Sequence, residues 1–232
     1  MKHMLLVIVL ILNLTTMDAQ EKQSLNAQQQ SIVTISALTA AGDLDKLKNE
    51  LNTGLDVGLT VNEIKEILVQ LYAYCGFPRS LNGITSFMQV LEERKKKGIT
   101  DVVGREATPL KDSSDIYERG RKTLETLTNT PQSKPAPGFG EFAPRIDAFL
   151  KGHLFADIFD SDVLNYSQRE LVTISALTTI PGAEGQLQAH IGMGINTGIT
   201  AEQIKTAFDI IENSISKEQA EKARTILAKM KN

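Results

Sequence analysis

Apolar side chains recur at intervals of three and four residues along most of the chain, which is the spacing of one face of an α-helix. The pattern predicts helices separated by polar, glycine or proline breaks. Their predicted ranges are 32–40, 44–57, 60–74, 79–96, 112–128, 144–159 and 217–231, with further helices opening at Ser167 and Thr200 and another around 187–195. No segment alternates as a β-strand would, so the sequence predicts an all-α fold.

Helix starts and buried faces can also be predicted from the sequence. A Ser or Thr followed three residues later by Glu or Gln is typical of a helix start, because the two side chains cap backbone N–H groups reciprocally. This pattern occurs at Thr60–Glu63, Ser167–Glu170 and Thr200–Gln203. The apolar stripes predict three sets of inward-facing residues: Leu47, Leu51, Gly54 and Leu55; Ile64, Ile67, Leu68 and Leu71; and Leu187, Ile191, Gly194 and Ile195.

The sequence contains an internal duplication. Residues 33–39, VTISALT, recur letter for letter at 172–178, and GLDVGLT at 54–60 is matched by GINTGIT at 194–200. Such self-similarity indicates two fused copies of one helical unit. We predict a first repeat over 20–97, a connecting segment with one helix over 98–143, and a second repeat over 144–232.

Composition narrows the possible functions. A chain of 232 residues with 41% hydrophobic content can bury a substantial core. The net charge of −3 and the absence of tryptophan argue against a nucleic-acid partner. Because Cys75 is the only cysteine, the chain cannot form an internal disulfide, a Cys-x-x-Cys redox pair or a multi-cysteine zinc site. The sequence has no metal-ligand spacing or glycine-rich phosphate loop, so we predict neither metal nor cofactor.

The first residues have the layout of a signal peptide. Lys2 and His3 precede an apolar run over 4–12, and Ala19 offers a cleavage point. The run is shorter than the roughly 20 residues needed to span a bilayer, so we predict a signal peptide over 1–19, export to the periplasm or extracellular space, and no membrane association after cleavage. Translation from Met17 would instead give a cytoplasmic protein.

His190 is the histidine best placed for proton transfer. It lies at the edge of the stripe formed by Leu187, Ile191 and Gly194, and its counterpart in the first repeat is Glu50. Titratable groups at this position in both repeats favour a cavity, a wet groove or a subunit interface over a dry core. The alternative is a partly buried, hydrogen-bonded histidine without a catalytic role.

Other candidate residues have simple structural explanations. Glu170 is explained by the capping pattern that begins at Ser167, and its first-repeat counterpart is Ser31. His153 lies within a predicted helix and has no obvious partner. Cys75 is typical of a small buried residue at a helix end.

The duplicated unit resembles the carboxymuconolactone decarboxylase family, whose members share the AhpD-like all-helical fold. The resemblance depends on Arg169-Glu170-Leu171 at a helix start, on 187–200 with His190, and on the turn over 74–79, YCGFPR. The peroxidase branch of that family has two cysteines upstream of the histidine, where this chain has Ala183 and Gln186. The resemblance therefore implies the decarboxylase branch, which acts on a carboxylated muconolactone without a cofactor.

The resemblance also implies roles for individual residues and an assembly. His190 would be the general acid and base, and Glu170 would orient it or relay a proton, so that the chain would be a carbon–carbon lyase acting on a small-molecule substrate. Homologous assemblies imply a homo-oligomer, a trimer or hexamer. Two alternatives remain: a non-catalytic oligomeric binding module of the same fold, and a peroxide reductase that uses Cys75, which the missing cysteine pair disfavours.

Overall fold

The computed structural model describes residues 24–110 and 115–230. Within these ranges every regular element is helical, which confirms the predicted all-α fold. In chain order the helices are α1 (Ala27–Ala41), α2 (Leu44–Asp56), α3 (Val61–Lys96), α4 (Ile116–Thr128), α5 (Phe139–Phe142), α6 (Pro144–Phe149), the π-helical segment Leu150–Ile158, α7 (Tyr166–Thr179), α8 (Glu184–Asn196), α9 (Ala201–Ser214) and α10 (Lys217–Lys229). The predicted signal peptide over 1–19, the predicted helix start at Asp112 and the predicted helix end at Lys231 lie outside the described residues.

The two repeats have corresponding helices. The helices α1 and α2 correspond to α7 and α8, and the two arms of α3 correspond to α9 and α10. The arms of α3 meet at Gly76, whose φ of 79° and ψ of 160° interrupt the helical backbone. The helix predicted over 79–96 is therefore the second arm of a kinked helix. Between α9 and α10 the chain instead leaves the helical conformation at Ile215 and Ser216.

Helices from both repeats share one hydrophobic core. The central contact is between α1 and α7, while α3 packs against α7 and α9 packs against α1. The third helix of each repeat thus covers the first helix of the other. The buried cluster contains residues from both repeats, among them Ile35, Leu68, Ile174 and Phe208. Burial of this shared apolar surface stabilises the pairing of the repeats.

A helical hairpin lies beside this core. In it, α4 packs along the π-helical segment and also contacts α8. Gly120 of α4 allows the close approach, because a Cβ atom at this position would lie 1.7 Å from the carbonyl oxygen of Lys151. A second apolar cluster joins the hairpin to α8: Leu124, Leu127, Leu154, Phe155, Ile158, Phe159 and Met193. None of the described helices has the length and apolar character needed to cross a membrane.

Candidate active site

A cavity of about 490 Å³ lies between the hairpin and α8. Most of its lining side chains are apolar. The lining residues are Leu124, Thr128, Gln132, Ala136, Phe139, Ile146, Asp147, Leu150, Lys151, Phe155, Gly185, Gln186, Ala189, His190 and Met193. A concave apolar site with a few polar groups is typical of small-molecule binding.

Glu170 and His190 meet at one wall of this cavity. Oε2 of Glu170 lies 2.7 Å from Nδ1 of His190, within hydrogen-bonding distance. Glu170 is 0% exposed and His190 is 6% exposed. His190 lines the cavity, and Glu170 lies behind it on α7. The two predicted site residues therefore form one buried acid–imidazole pair.

The capping prediction at Ser167 is wrong. Because other residues cap this helix, the Glu170 side chain is free to pair with His190. Helix α7 is capped by Asn165, whose side-chain oxygen accepts a hydrogen bond from the backbone N–H of Gln168, 2.9 Å away. The side chain of Gln168 in turn accepts from the backbone N–H of Asn165. Glu170 thus lies beyond the capping box and points to His190. The predicted boxes at Thr60–Glu63 and Thr200–Gln203 are confirmed.

The buried face of α8 differs from the prediction at one position. Leu187, Ile191 and Gly194 are buried as predicted, but Ile195 is 44% exposed. Met193 is buried instead, because the hairpin covers the side of α8 that carries His190 and Met193. Contact with the hairpin therefore shifts the buried face towards the cavity. The predicted inward faces of α2 and of the first arm of α3 are confirmed.

Tyr74 is contributed to this site by the first repeat. Its ring packs edge-on against His190, with the ring centroids 5.6 Å apart. The hydroxyl oxygen of Tyr74 and Oε1 of Glu170 are both buried without a hydrogen-bond partner. Burial, and secondarily the charge of Glu170, raises the pKa of Tyr74, so the phenol keeps its proton. The repeat pattern did not predict this contact.

A second polar cluster lies in the hairpin wall. The ammonium of Lys151 lies 2.9 Å from Oδ1 of Asp147 and donates hydrogen bonds to the hydroxyl of Tyr117 at 2.9 Å and to the carbonyl of Ser133 at 2.7 Å. The hydroxyl of Tyr117 donates to Asp147. Lys151 is 0% exposed. Sequence reasoning missed this cluster, although an acid and a lysine four residues apart in an apolar helix are a usable signal.

Asp147 and Lys151 both stay charged in this cluster. Burial would raise the pKa of Asp147, but the hydrogen bond from Tyr117 and the ammonium of Lys151 outweigh it and lower that pKa. Burial likewise opposes the charge of Lys151, but Tyr117 and Asp147 raise its pKa overall. The pair is therefore an internally neutralised ion pair.

The corresponding position of the first repeat has different chemistry. Ser31 and Glu50 occupy the places of Glu170 and His190. Burial raises the pKa of Glu50, and the nearby Ser31 side chain only partly opposes this. Among the described residues, an acid–imidazole pair in a buried wall occurs only in the second repeat.

The remaining candidate residues lie apart from this pair. His153 has a partner after all, since its Nδ1 lies 2.9 Å from Oδ2 of the exposed Asp157. Cys75 is partly buried, and burial raises the pKa of its thiol, which favours the unreactive protonated form. Within the described ranges, no cluster of three or more His, Cys, Asp or Glu side chains could hold a metal ion.

A family model described as the carboxymuconolactone decarboxylase family matches residues 10–85 and 144–229. The chain belongs to this family. The two separate matches show that this family member carries the domain in tandem, which agrees with the duplicated helices and with the AhpD-like helical fold. No curated protein sequence matches the chain.

Proposed function

We propose that this carboxymuconolactone decarboxylase family member is a cofactor-free lyase that transfers protons to a small carboxylated lactone or a similar acid. The observation that carries the proposal is the buried pair of Glu170 and His190, 2.7 Å apart, with the imidazole at the wall of a cavity. Such an arrangement suits general acid–base catalysis, in which imidazole is the most common group.

In this proposal the two side chains have different tasks. Glu170 engages Nδ1 of His190, which leaves Nε2 to exchange a proton with a bound molecule. The carboxylate fixes the ring orientation and stabilises the imidazolium form. In a decarboxylation, the carbon–carbon bond to the carboxylate breaks, CO₂ leaves, and the electron pair remains as an enolate. His190 then gives a proton to the enolate carbon.

The alternative is a non-catalytic oligomeric binding module. It is favoured by the first repeat, where Ser31 and Glu50 replace the acid–imidazole pair while the helical fold is kept. Peroxide reduction is less well supported, because Ala183 and Gln186 stand at the cysteine positions of that branch and the Cys75 thiol favours its protonated form. Export and assembly into trimers or hexamers stay predictions.

Substitution of the pair tests the proposal. The wild-type protein would be screened against carboxylated lactones and β-keto acids for CO₂ release and for deuterium incorporation from D₂O. His190→Gln and Glu170→Gln are expected to lower kcat on any active compound by about 10²–10⁴-fold, the usual contribution of a positioned acid or base.

His153→Gln is the matched control, because it removes a solvent-exposed imidazole from another helix and should leave turnover unchanged. Thermal unfolding of each variant would show that the fold persists. Unchanged kcat in folded His190→Gln would exclude the mechanism, and a specific ligand that binds without turnover would favour the binding module.

A further inference from the structure

We propose that the first turn of α8 is a carboxylate-binding subsite of the cavity. This inference rests on the proposed function and adds the groups that would hold a substrate beside His190. It starts from the backbone N–H groups of Glu184, Gly185 and Gln186, for which no described residue provides an acceptor. Ala183 precedes the helix, and its side chain makes no capping hydrogen bond. Free N–H groups and the helix dipole together make a helix N-terminus favourable for an anion.

This turn of α8 borders the cavity. Gly185 and Gln186 both line it, and a Cβ atom added at Gly185 would have no atom from elsewhere in the structure within 4 Å. There is therefore open space beside these N–H groups. His190 lies four residues after Gln186, and helical side chains lean towards the N-terminus of their helix. Its imidazole therefore leans towards the same turn.

The His190 side chain independently points to a ligand at this place. Its Nδ1 atom pairs with Glu170, whereas Nε2 has no hydrogen-bond partner among the described residues. The residue is only 6% exposed and lines the cavity. Because buried polar groups are normally hydrogen-bonded, a molecule in the cavity is the natural partner of Nε2. The imidazole and the free N–H groups of α8 thus border one part of the cavity.

The first repeat indicates which anion suits this turn. Helix α2 corresponds to α8, and Asp43 stands where the second repeat has Ala183. The carboxylate of Asp43 accepts a hydrogen bond from the backbone N–H of Lys46 at 3.2 Å. That hydrogen bond is the main cause that lowers the pKa of Asp43. Lys46 corresponds to Gln186, so the loss of the acid at position 183 leaves the N–H of Gln186 free for the carboxylate of a ligand.

The charges around the subsite allow a carboxylate to bind. Asp147 in the cavity wall is neutralised by Lys151, with 2.9 Å between Oδ1 and Nζ. Glu170 lies behind His190 and is hydrogen-bonded to it, so its carboxylate does not line the cavity. Hydrogen bonds that stabilise a carboxylate oppose its departure as CO₂. The group held by α8 is therefore an anchor that stays on the molecule, while the bond that breaks lies elsewhere on it, within reach of His190.

Two matched lactones test the inference by NMR titration of the full-length protein at fixed ionic strength. The probes are 5-oxotetrahydrofuran-2-acetate and its methyl ester, which share one ring and differ in charge. Loss of CO₂ from this acid would leave a carbanion that no carbonyl stabilises, so the titration records binding alone. The acid is expected to bind at least about tenfold more tightly than the ester, with the largest shifts at the backbone amides of Gly185 and Gln186. Equal binding of acid and ester, or no binding of either, would overturn the inference.

Ala183→Asp restores the acid found in the first repeat and fills the subsite with a carboxylate of the protein itself. Because this side chain can accept a hydrogen bond from the N–H of Gln186, affinity for the acid probe is expected to fall at least about tenfold. The melting temperature should not fall, because aspartate is a favourable residue at this position of a helix. Gln188→Glu is the control: it adds the same charge to α8 on the face that lines a separate groove with Lys222, and it should leave the preference for the acid unchanged.

An unchanged affinity for the acid in folded Ala183→Asp, or an equal loss of affinity in Gln188→Glu, would show that the carboxylate does not bind at this turn. If Ala183→Asp does not fold, the ranking of acid and ester and the position of the shifts in the wild-type protein still decide. These results are separate from those that test the lyase. Failure of the binding test removes only the subsite, and unchanged kcat in His190→Gln removes only the mechanism.

Discussion

Glu170 is a buried carboxylate whose environment determines its role. It is 0% exposed, and its Oε2 atom is paired with His190 while Oε1 has no partner. A buried carboxylate without a partner would be unfavourable, so the imidazole stabilises Glu170 in its buried position. The unpartnered Oε1 atom leaves this carboxylate able to accept one more hydrogen bond.

Tyr74 packs on the imidazole that pairs with that carboxylate. Its hydroxyl is buried. Burial, and secondarily the charge of Glu170, raises its pKa, so the hydroxyl keeps its proton. Tyr74→Phe is expected to lower kcat/KM on an active compound by about tenfold, because a neutral donor beside the acid is lost, while stability changes by less than about 1 kcal/mol.

Steady-state kinetics and urea unfolding would measure both effects. Tyr72→Phe is the control, since it removes a hydroxyl two positions away on the same helix, where the ring stacks on Phe77. Equal kinetics for the two variants would show that Tyr74 contributes only its ring.

Sequence reasoning named both members of the acid–imidazole pair, but by different routes. His190 was predicted because a titratable group interrupts an apolar stripe, and this signal is local. Glu170 was named only through the family resemblance, because the Ser167 pattern suggested a capping role that Asn165 and Gln168 fill two residues earlier. Tyr74 could not be found, because its contact depends on how the two repeats pack.

At the scale of elements, the hairpin forms the outer wall of the cavity and its position depends on a close helix contact. Arg119 of α4 pairs with Asp160 beyond the π-helical segment, with 3.0 Å between Nε and Oδ2. Gly120 brings the backbones together beside this ion pair. The hairpin is thus held by backbone contact as well as by the Lys151 cluster.

Gly120→Ala is expected to destabilise the protein by about 1–3 kcal/mol, because the added methyl group overlaps the carbonyl of Lys151 and forces the helices apart. Displacement of the hairpin should also lower kcat on any active compound, because hairpin side chains line the cavity beside His190. Urea unfolding and steady-state kinetics measure the two effects.

Gly152→Ala is the matched control. A Cβ atom there meets only ordinary contact with Ile116 at 3.7 Å, so stability should stay the same or rise by up to about 1 kcal/mol. Equal losses of stability in the two variants would argue against the close contact at Gly120.

The periodic pattern predicted the helices well but not their irregularities. The break after Tyr74 was expected from Gly76 and Pro78, yet the glycine only kinks a helix that continues to Lys96. The helix predicted over 144–159 exists, but its second part is π-helical, over Leu150–Ile158. Apolar spacing does not distinguish an α-helix from a π-helix over so few residues. In proteins generally, π-helical turns are often found at functional sites.

At the scale of the whole molecule, the two repeats share one hydrophobic core rather than forming two separate cores. The third helix of each repeat covers the first helix of the other, and one buried cluster includes both repeats. Gln70 is a buried polar link between them, and its side chain donates to the carbonyl of Arg169 at 2.8 Å and to the hydroxyl of Thr173 at 2.9 Å. Gln70 also accepts a hydrogen bond from the guanidinium of Arg169 at 3.0 Å.

This shared core predicts that damage at the link weakens both repeats together. Gln70→Ala removes the acceptor of the buried Arg169 guanidinium and the two hydrogen bonds donated to Arg169 and Thr173, so we expect a loss of about 2–3 kcal/mol in the free energy of unfolding. Hydrogen exchange followed by mass spectrometry should show equal losses of protection in α1 and α7, because one cooperative transition exposes both. Gln188→Ala, at an exposed site, should change neither helix. Faster exchange in α7 with α1 unaffected would mean that the repeats unfold independently, and the Tyr74 ring that packs on His190 would then belong to a separable domain.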